Sequence, residues 1–133
     1  PAEPAVEGVK RARVLLVEDD EAVRDLVEEV LRASGVDVLV ATNPAEALAI
    51  AARQSVTFDL LISDLAMPTM SGAELAERLS SLRPGLRVLF ISGYPVEESV
   101  TEGLRLSGLR YLAKPFTPGQ LRREVRLLLE SAR

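Results

Sequence analysis

The sequence predicts an α/β domain in which five parallel strands alternate with five helices, a doubly wound (βα)₅ arrangement with helices on both faces. Two observations predict it. Segments with a helical apolar period and capping residues lie between short apolar runs. These runs have the nearly continuous apolar character of strands buried on both faces. They are found at 13–18, 36–41, 59–63, 87–92 and 110–113.

Four helices have a clear start, because a residue that favours the N-cap position precedes each of them. In chain order these starts are Asp20, Asn43-Pro44 with Glu46, Ser71 with Glu74, and Thr117-Pro118-Gly119-Gln120. Ser34-Gly35 ends the first helix, and Pro84-Gly85 ends the third. The helix predicted between the fourth and fifth strands is weaker, because Gly103 interrupts its apolar stripe at about 1 kcal/mol relative to alanine. We expect that helix to be short or mobile.

Composition excludes several kinds of chemistry. The 133 residues include neither histidine nor cysteine, which rules out imidazole bases, thiol chemistry and disulfides, and fits a reducing, cytoplasmic compartment. A net charge of −4 gives no reason to expect direct nucleic-acid binding. No apolar stretch approaches the roughly 20 residues of a transmembrane helix, so we expect no membrane contact. Residues 1–11 predict a linker or disordered tail, and 12–133 form the predicted domain.

Four of the five predicted strands end in chemically capable side chains. Glu18-Asp19-Asp20 follow the first strand, Asp64 the third, Ser92 ends the fourth, and Lys114 follows the fifth. Because open parallel sheets bind ligands beyond the carboxyl ends of their strands, we expect these groups to meet at one edge. Singly, each has an ordinary explanation: acids favour helix starts, and aspartate is common in loops. Together they predict a site for a divalent cation and a phosphoryl group.

An oxygen-only cluster without histidine or cysteine favours a hard cation, and Mg²⁺ is commonly held by one or two carboxylates with water and phosphate. We assign Asp19 and Asp64 as direct ligands, the main-chain carbonyl of Ala66 as a third, and Glu18 as a ligand through water. Asp20 is better explained as a helix cap.

Asp64 is the predicted nucleophile, since a carboxylate can attack a phosphoryl donor to form an acyl phosphate. Lys114, one of only two lysines in the chain, would contact the bound phosphoryl group by a charge-assisted hydrogen bond. Ser92 could donate its hydroxyl to a phosphoryl oxygen, although a plain turn serine explains it equally well. Tyr111 is by default a core aromatic whose hydroxyl needs a partner.

Four motifs in this order resemble the receiver domain of two-component response regulators over about 13–131. They are Leu15-Leu16-Val17-Glu18-Asp19-Asp20, Asp64-Leu65-Ala66-Met67-Pro68-Thr69-Met70-Ser71-Gly72, Ile91-Ser92-Gly93 and Tyr111-Leu112-Ala113-Lys114-Pro115-Phe116. Each motif alone is weak, but four in register are highly specific. The resemblance implies a flavodoxin-like sheet in the order 2-1-3-4-5.

The resemblance also implies function. Asp64 would accept a phosphoryl group from a phosphohistidine on a histidine kinase or histidine phosphotransfer domain, with Glu18 and Asp19 as the Mg²⁺-binding acidic pair. Ser92 and Lys114 would contact the phosphoryl oxygens. Coupled movement of Ser92 and Tyr111 would switch the face formed by the fourth helix, fifth strand and fifth helix, which is also where a homodimer could form. Such a domain is not an enzyme in isolation, although it catalyses its own phosphoryl transfer and dephosphorylation.

The motifs are similar in style to receivers at the end of hybrid sensor histidine kinases, and a stand-alone regulator is the alternative. At two positions that vary within the family, Ala66 offers no polar group to an attacking water and Tyr94 is bulky. We therefore expect slower acyl-phosphate hydrolysis than in relatives with Asn or Glu at position 66.

Three other functions are weaker. A phosphatase with an aspartate nucleophile needs a second acid where Ala66 stands. A nucleotide or flavin binder needs a phosphate loop after the first strand, which Glu18-Asp19-Asp20 does not supply. A degenerate receiver that serves only as an interaction module usually lacks one of the key residues. The last helix carries Arg122, Arg123 and Arg126, which favour a solvated face over an acidic-partner surface.

Overall fold

The structure is a computed structural model that describes residues 11–93 and 109–130. It contains five parallel strands in the order β2-β1-β3-β4-β5, which confirms the predicted sheet and its order. The strands are β1 (Arg13–Val17), β2 (Asp37–Ala41), β3 (Leu60–Asp64), β4 (Arg87–Ser92) and β5 (Leu109–Ala113). The described helices are α1 (Glu21–Ala33), α2 (Pro44–Ala52), α3 (Gly72–Leu82) and α4 (Pro118–Glu130). The helix labelled α4 is the one predicted as the fifth, after the last strand.

The central strands are buried on both faces, which explains their nearly continuous apolar sequences. Alternate residues contribute to two separate core clusters. Leu16 and Ile62 pack with α1 and α4 on one face, whereas Leu15 and Leu61 pack with α2 and α3 on the other. Each fully buried leucine or isoleucine side chain stabilises the fold by about 1.5–3 kcal/mol relative to exposure.

The predicted N-caps are confirmed. The Asp20 carboxylate accepts hydrogen bonds from the main chain of the first turn of α1, and Asn43 and Ser71 do the same for α2 and α3. At α4 the pair is reciprocal: Thr117 N donates to the Gln120 side chain, and Gln120 N donates to the Thr117 hydroxyl. These local bonds satisfy donors that the helix itself leaves unpaired.

Glu46 and Glu74 each lie three residues after a cap, but neither accepts a described hydrogen bond from the main-chain N–H of its cap residue. Glu46 accepts hydrogen bonds from the main chain and hydroxyl of Thr42, one residue before the cap. Glu74 accepts instead from Arg78, four residues further along α3, at 2.9 Å. In both places a neighbouring donor competes successfully for the glutamate.

The strand boundaries differ slightly from prediction. Asp64 is the last residue of β3 rather than the first residue after it, while Glu18 lies just beyond β1. Residues 1–10, 94–108 and 131–133 lie outside the described residues. The helix predicted between the fourth and fifth strands falls there, as do Tyr94 and most of the predicted tail.

At the amino ends of the strands, Arg83 joins the end of α3 to the segment between α2 and β3. Its Nη2 donates to the carbonyls of Ala51, Arg53 and Val56 at 3.2, 3.0 and 2.6 Å. Its guanidinium also lies 4.7 Å from the centroid of the Phe58 ring. Separately, none of the four described helices has the length and apolar character needed to cross a bilayer.

Candidate functional site

The predicted site residues do come together at the carboxyl edge of the sheet. Glu18 and Asp19 follow β1 while Asp64 ends the adjacent β3, because these strands pair in register from Val14–Leu60 onward. One carboxylate oxygen from each of the three residues lies within 4.8 Å of the others. Asp19 is exposed, whereas Glu18 and Asp64 are buried. The cluster therefore opens to solvent on one side.

Glu18 is the most deeply buried of these carboxylates, with 1% of its surface exposed. Its Oε1 accepts a hydrogen bond from Asp20 N at 3.0 Å. Its Oε2 has no hydrogen-bond partner and lies 3.5 Å from the Lys114 ammonium. Burial raises the pKa of Glu18 to about 7, and the negative charge of Asp64 adds to the effect, against the hydrogen bond from Asp20 and the charge of Lys114.

Lys114 reaches into the cluster from the segment after β5. Its Nζ donates to Asp64 Oδ2 at 2.9 Å, and the Lys114–Pro115 peptide bond is cis. Burial favours the neutral amine, but the hydrogen bond to Asp64 and the charges of Glu18 and Asp64 outweigh it, so the pKa of Lys114 is raised. The Lys114 side chain therefore remains positively charged beside Asp64.

The loop after β3 packs tightly around Asp64. Ala66 N donates to Asp64 Oδ1 at 2.9 Å, which leaves the Asp64 carboxylate held from two sides. A Cβ atom added to Gly72 would lie 2.2 Å from the Asp64 carbonyl oxygen. Only glycine fits there, because that distance is far inside van der Waals contact. The sequence alone assigned no role to Gly72. Its position directly after the Ser71 cap was the signal that could have indicated one.

Ser92 and Tyr111 lie near this edge in different settings. Ser92 is buried at the end of β4, and its carbonyl accepts a hydrogen bond from Lys114 N at 2.8 Å. Tyr111 is half-buried in β5, pairs with Phe90 across the strands, and packs on the core cluster shared with α2 and α3. The coupled movement of Ser92 and Tyr111 stays a prediction.

The donor set fits a hard divalent cation. All three residues of the cluster offer carboxylate oxygens, and Glu18 Oε2 is buried without a hydrogen bond. Three carboxylates face a single nearby ammonium, so a cation would offset their repulsion. The described part of the chain could therefore hold a metal at Glu18, Asp19 and Asp64.

Residues 14–126 match the family described as response regulator receiver domain. Among curated relatives, an uncharacterized 14.6 kDa protein from Leptolyngbya boryana is 40% identical over 84% of this chain and 86% of its own. The sensor kinase CckA of Brucella abortus is 36% identical over 90% of this chain but only 13% of its own length. The transcriptional regulatory protein YbdJ of Bacillus subtilis is 32% identical over 92% of this chain and 52% of its own.

Solved structures show the same relationship. The crystal structure of the receiver domain from the hybrid histidine kinase CckA has 37% identity and a TM-score of 0.75, covering 89% of this chain and 99% of that one. A CheY-like receiver from Methanospirillum hungatei has 30% identity and a TM-score of 0.81, covering 92% and 97%. The chain spans about half or less of the first curated relatives it matches. It nevertheless belongs to the response regulator receiver domain family.

Proposed function

We propose that this chain is the phospho-accepting receiver of a cytoplasmic two-component phosphorelay, with Asp64 as the residue that takes the phosphoryl group. One observation carries the proposal. The buried Asp64 carboxylate has the Lys114 ammonium 2.9 Å from one oxygen and two further carboxylates within 4.8 Å. A nucleophilic acid, a fixed cation and a divalent-metal cluster at one edge suit phosphoryl transfer.

In the proposed reaction, an Asp64 carboxylate oxygen attacks the phosphorus of a phosphohistidine on the partner. A new O–P bond forms and the P–N bond breaks. The electron pair of that bond returns to the imidazole nitrogen, which takes a proton from solvent. Lys114 then donates to a phosphoryl oxygen, and the Ser92 hydroxyl donates to another. These contacts stabilise charge that develops on the transferring group.

The residues proposed to hold Mg²⁺ are Asp19 and Asp64 directly, Glu18 through water, and Ala66 through its main-chain carbonyl. When bound there, Mg²⁺ would supply positive charge to offset the negative charge of the phosphoryl oxygens. The chain's own contribution is to hold the acids together at the ends of two paired strands. The buried Glu18 Oε2, which has no hydrogen-bond partner, supports a role beside a cation, because a metal charge would favour the ionised carboxylate.

The proposed partner is a histidine kinase or a histidine phosphotransfer domain. Similarity to the CckA sensor kinase and to its receiver supports this choice and supports a hybrid kinase as the parent chain. Phosphorylation would shift Ser92 and Tyr111 together and so change the surface that includes β5 and α4, where a homodimer could also form. As an isolated domain, the receiver would catalyse only its own phosphorylation and dephosphorylation.

The test is intact-mass measurement after incubation with acetyl phosphate, with and without Mg²⁺. We expect the wild type to gain one phosphoryl group only with Mg²⁺, and Asp64→Asn to gain none. Asp25→Asn is the matched control, because Asp25 is an exposed aspartate on α1. A wild type that gains nothing with Mg²⁺ present would indicate a receiver kept only for binding.

A further inference from the structure

Arg24 links α1 to the loop that carries the acidic pair. The arginine is half-buried in the second turn of α1, and its Nη1 donates to the main-chain carbonyl of Glu18 at 2.9 Å. Its own main-chain N–H donates to the Asp20 carbonyl at 2.9 Å. Both ends of the loop segment that contains Asp19 are therefore tied to one residue of the helix.

The other short hydrogen bonds of this loop are local: Asp20 N donates to Glu18 Oε1 at 3.0 Å, and the Asp20 carboxylate caps α1. Beyond β1, the contact that continues the sheet is the bond from Glu18 N to the Ala41 carbonyl, which is long at 3.4 Å. The three carboxylates of the cluster repel one another, and Lys114 contacts Glu18 and Asp64. A hydrogen bond from a guanidinium is charge-assisted and correspondingly strong. Of the two described hydrogen bonds to the Glu18 main chain from outside its own loop, the one from Arg24 is the shorter.

The guanidinium also affects the neighbouring loop. The pKa of Glu46 is lowered, mainly by hydrogen bonds from the Thr42 main chain and hydroxyl, and the charge of Arg24 adds to them. Arg24 therefore contacts the segment after β1, and its charge also acts on Glu46 at the start of α2.

We infer that Arg24 is a positioning residue: it fixes the Glu18–Asp19 main chain so that both carboxylates face Asp64. The inference rests on the proposed function, because facing Asp64 matters only if the cluster takes up Mg²⁺. Groups that orient metal ligands raise metal affinity without touching the metal. Arg24 would thus set Mg²⁺ affinity rather than the rate of phosphoryl transfer.

The same helix offers a matched control. Arg32, in the last turn of α1, donates its Nη2 to the Val38 carbonyl at 3.0 Å and pairs with Glu28. It therefore makes the same kind of side-chain bond to a main-chain carbonyl, but in β2 and away from the carboxylate cluster. Loss of either arginine removes one charge and one such bond from α1.

The experiment measures Mg²⁺ binding by calorimetry and by main-chain amide shifts of residues 18 and 19, for wild type, Arg24→Gln, Arg24→Lys and Arg32→Gln. We expect Arg24→Gln to raise the Mg²⁺ Kd about tenfold. Arg24→Lys should recover part of the loss, since lysine still donates. Arg32→Gln should leave the Kd unchanged. The phosphorylation rate at saturating Mg²⁺ should stay within about twofold of wild type in every variant.

An unchanged Kd in Arg24→Gln, or an equal rise in Arg32→Gln, would overturn the inference while leaving the proposed function intact. A wild type that binds no Mg²⁺ would instead remove the proposed function and the inference with it. If circular dichroism shows that Arg24→Gln is unfolded, Arg24→Lys decides. A Kd for the lysine variant above that of wild type supports the inference, and a Kd equal to that of wild type overturns it.

Discussion

The amino and carboxyl edges of the sheet differ in how their charged side chains are paired. At the amino edge, Arg83 Nη2 donates to three main-chain carbonyls and the guanidinium lies over Phe58, while its Nε is buried without a hydrogen-bond partner. At the carboxyl edge, three carboxylates face one ammonium, and Glu18 Oε2 is buried without a hydrogen bond.

The amino edge therefore contributes to the stability of the domain, and the carboxyl edge carries its proposed function. A buried polar atom without a partner costs about 1–3 kcal/mol, and evolution keeps such sites where a ligand completes them. At the amino edge the buried atom without a partner is a donor, Arg83 Nε, on a guanidinium that already donates to three carbonyls. The Asp59 carboxylate at that edge accepts the main-chain N–H of Arg13, and the Asp59 N–H donates to the Arg13 carbonyl. We therefore expect changes at the carboxyl edge to affect phosphorylation, and changes at the amino edge to affect unfolding while leaving phosphorylation unchanged.

The largest effect should come from Gly72→Ala, because the new Cβ would overlap the Asp64 carbonyl oxygen. We expect a loss of about 3 kcal/mol in unfolding free energy, at the upper end for overpacking, together with much reduced phosphorylation. Urea denaturation and intact mass measure the two effects. Gly85→Ala is the control: it has a positive φ of 83° but open space, so it should cost about 1 kcal/mol and leave phosphorylation unchanged. Equal losses in the two variants would contradict this explanation.

Arg83→Met should destabilise by about 2 kcal/mol, because three carbonyls lose a charged donor. Phosphorylation of the folded protein by acetyl phosphate should be unchanged, since Arg83 lies at the amino edge. Arg78→Met, which removes only an exposed pair with Glu74, should cost about 0.5 kcal/mol or less. A fall in phosphorylation rate for folded Arg83→Met would break the separation between the edges.

Glu18 should make stability depend on pH. Its folded-state pKa of about 7 lies above the ordinary value of 4.5, so the folded state binds more protons between those values. Stability must then fall as pH rises through that window, by on the order of 3 kcal/mol without Mg²⁺. Thermal denaturation of wild type and Glu18→Gln measures it: the variant should lose most of this slope. Added Mg²⁺ should stabilise wild type more at pH 8 than at pH 5. If wild type and Glu18→Gln have the same dependence of stability on pH, Glu18 is not the group responsible.

The smallest effect should be kinetic. Ala66→Asn places an amide beside Asp64, where it could orient an attacking water, and we expect acyl-phosphate decay about three- to tenfold faster. The decay of phosphorylated protein by intact mass, after removal of acetyl phosphate, measures it. Ala66→Leu, which has the branching and the number of side-chain heavy atoms of asparagine but no hydrogen-bonding atoms, should not accelerate decay. Decay in Ala66→Asn that is unchanged or slower would contradict the hypothesis.

Features set by a few neighbouring residues were predictable from the sequence. Caps such as Asp20 and Asn43 depend on one side chain and the next turn, and the apolar runs indicated the strands to within one or two residues. The meeting of Asp64 with Lys114 followed from parallel topology, because the carboxyl ends of all strands share an edge.

Features that depend on competing or distant partners were not predictable. Glu74 could bond backward to its cap or forward to Arg78, and only the structure decides. Arg24 and Arg83 look like ordinary surface arginines in sequence, yet both donate to main-chain carbonyls set by the tertiary fold. The close approach of Gly72 to Asp64 has the same cause, since it depends on how the loop returns to α3.

Lys114 already stands where the proposed phosphoryl group would arrive, with a side chain only 22% exposed. Much of the water around its ammonium has therefore been removed during folding, before any donor binds. On phosphorylation the ammonium would move its hydrogen bond from the Asp64 carboxylate to a phosphoryl oxygen. It would not first have to lose a shell of bulk water. Most of the reorganisation that a free lysine would undergo is thus completed in the resting protein, which should keep the barrier to transfer low.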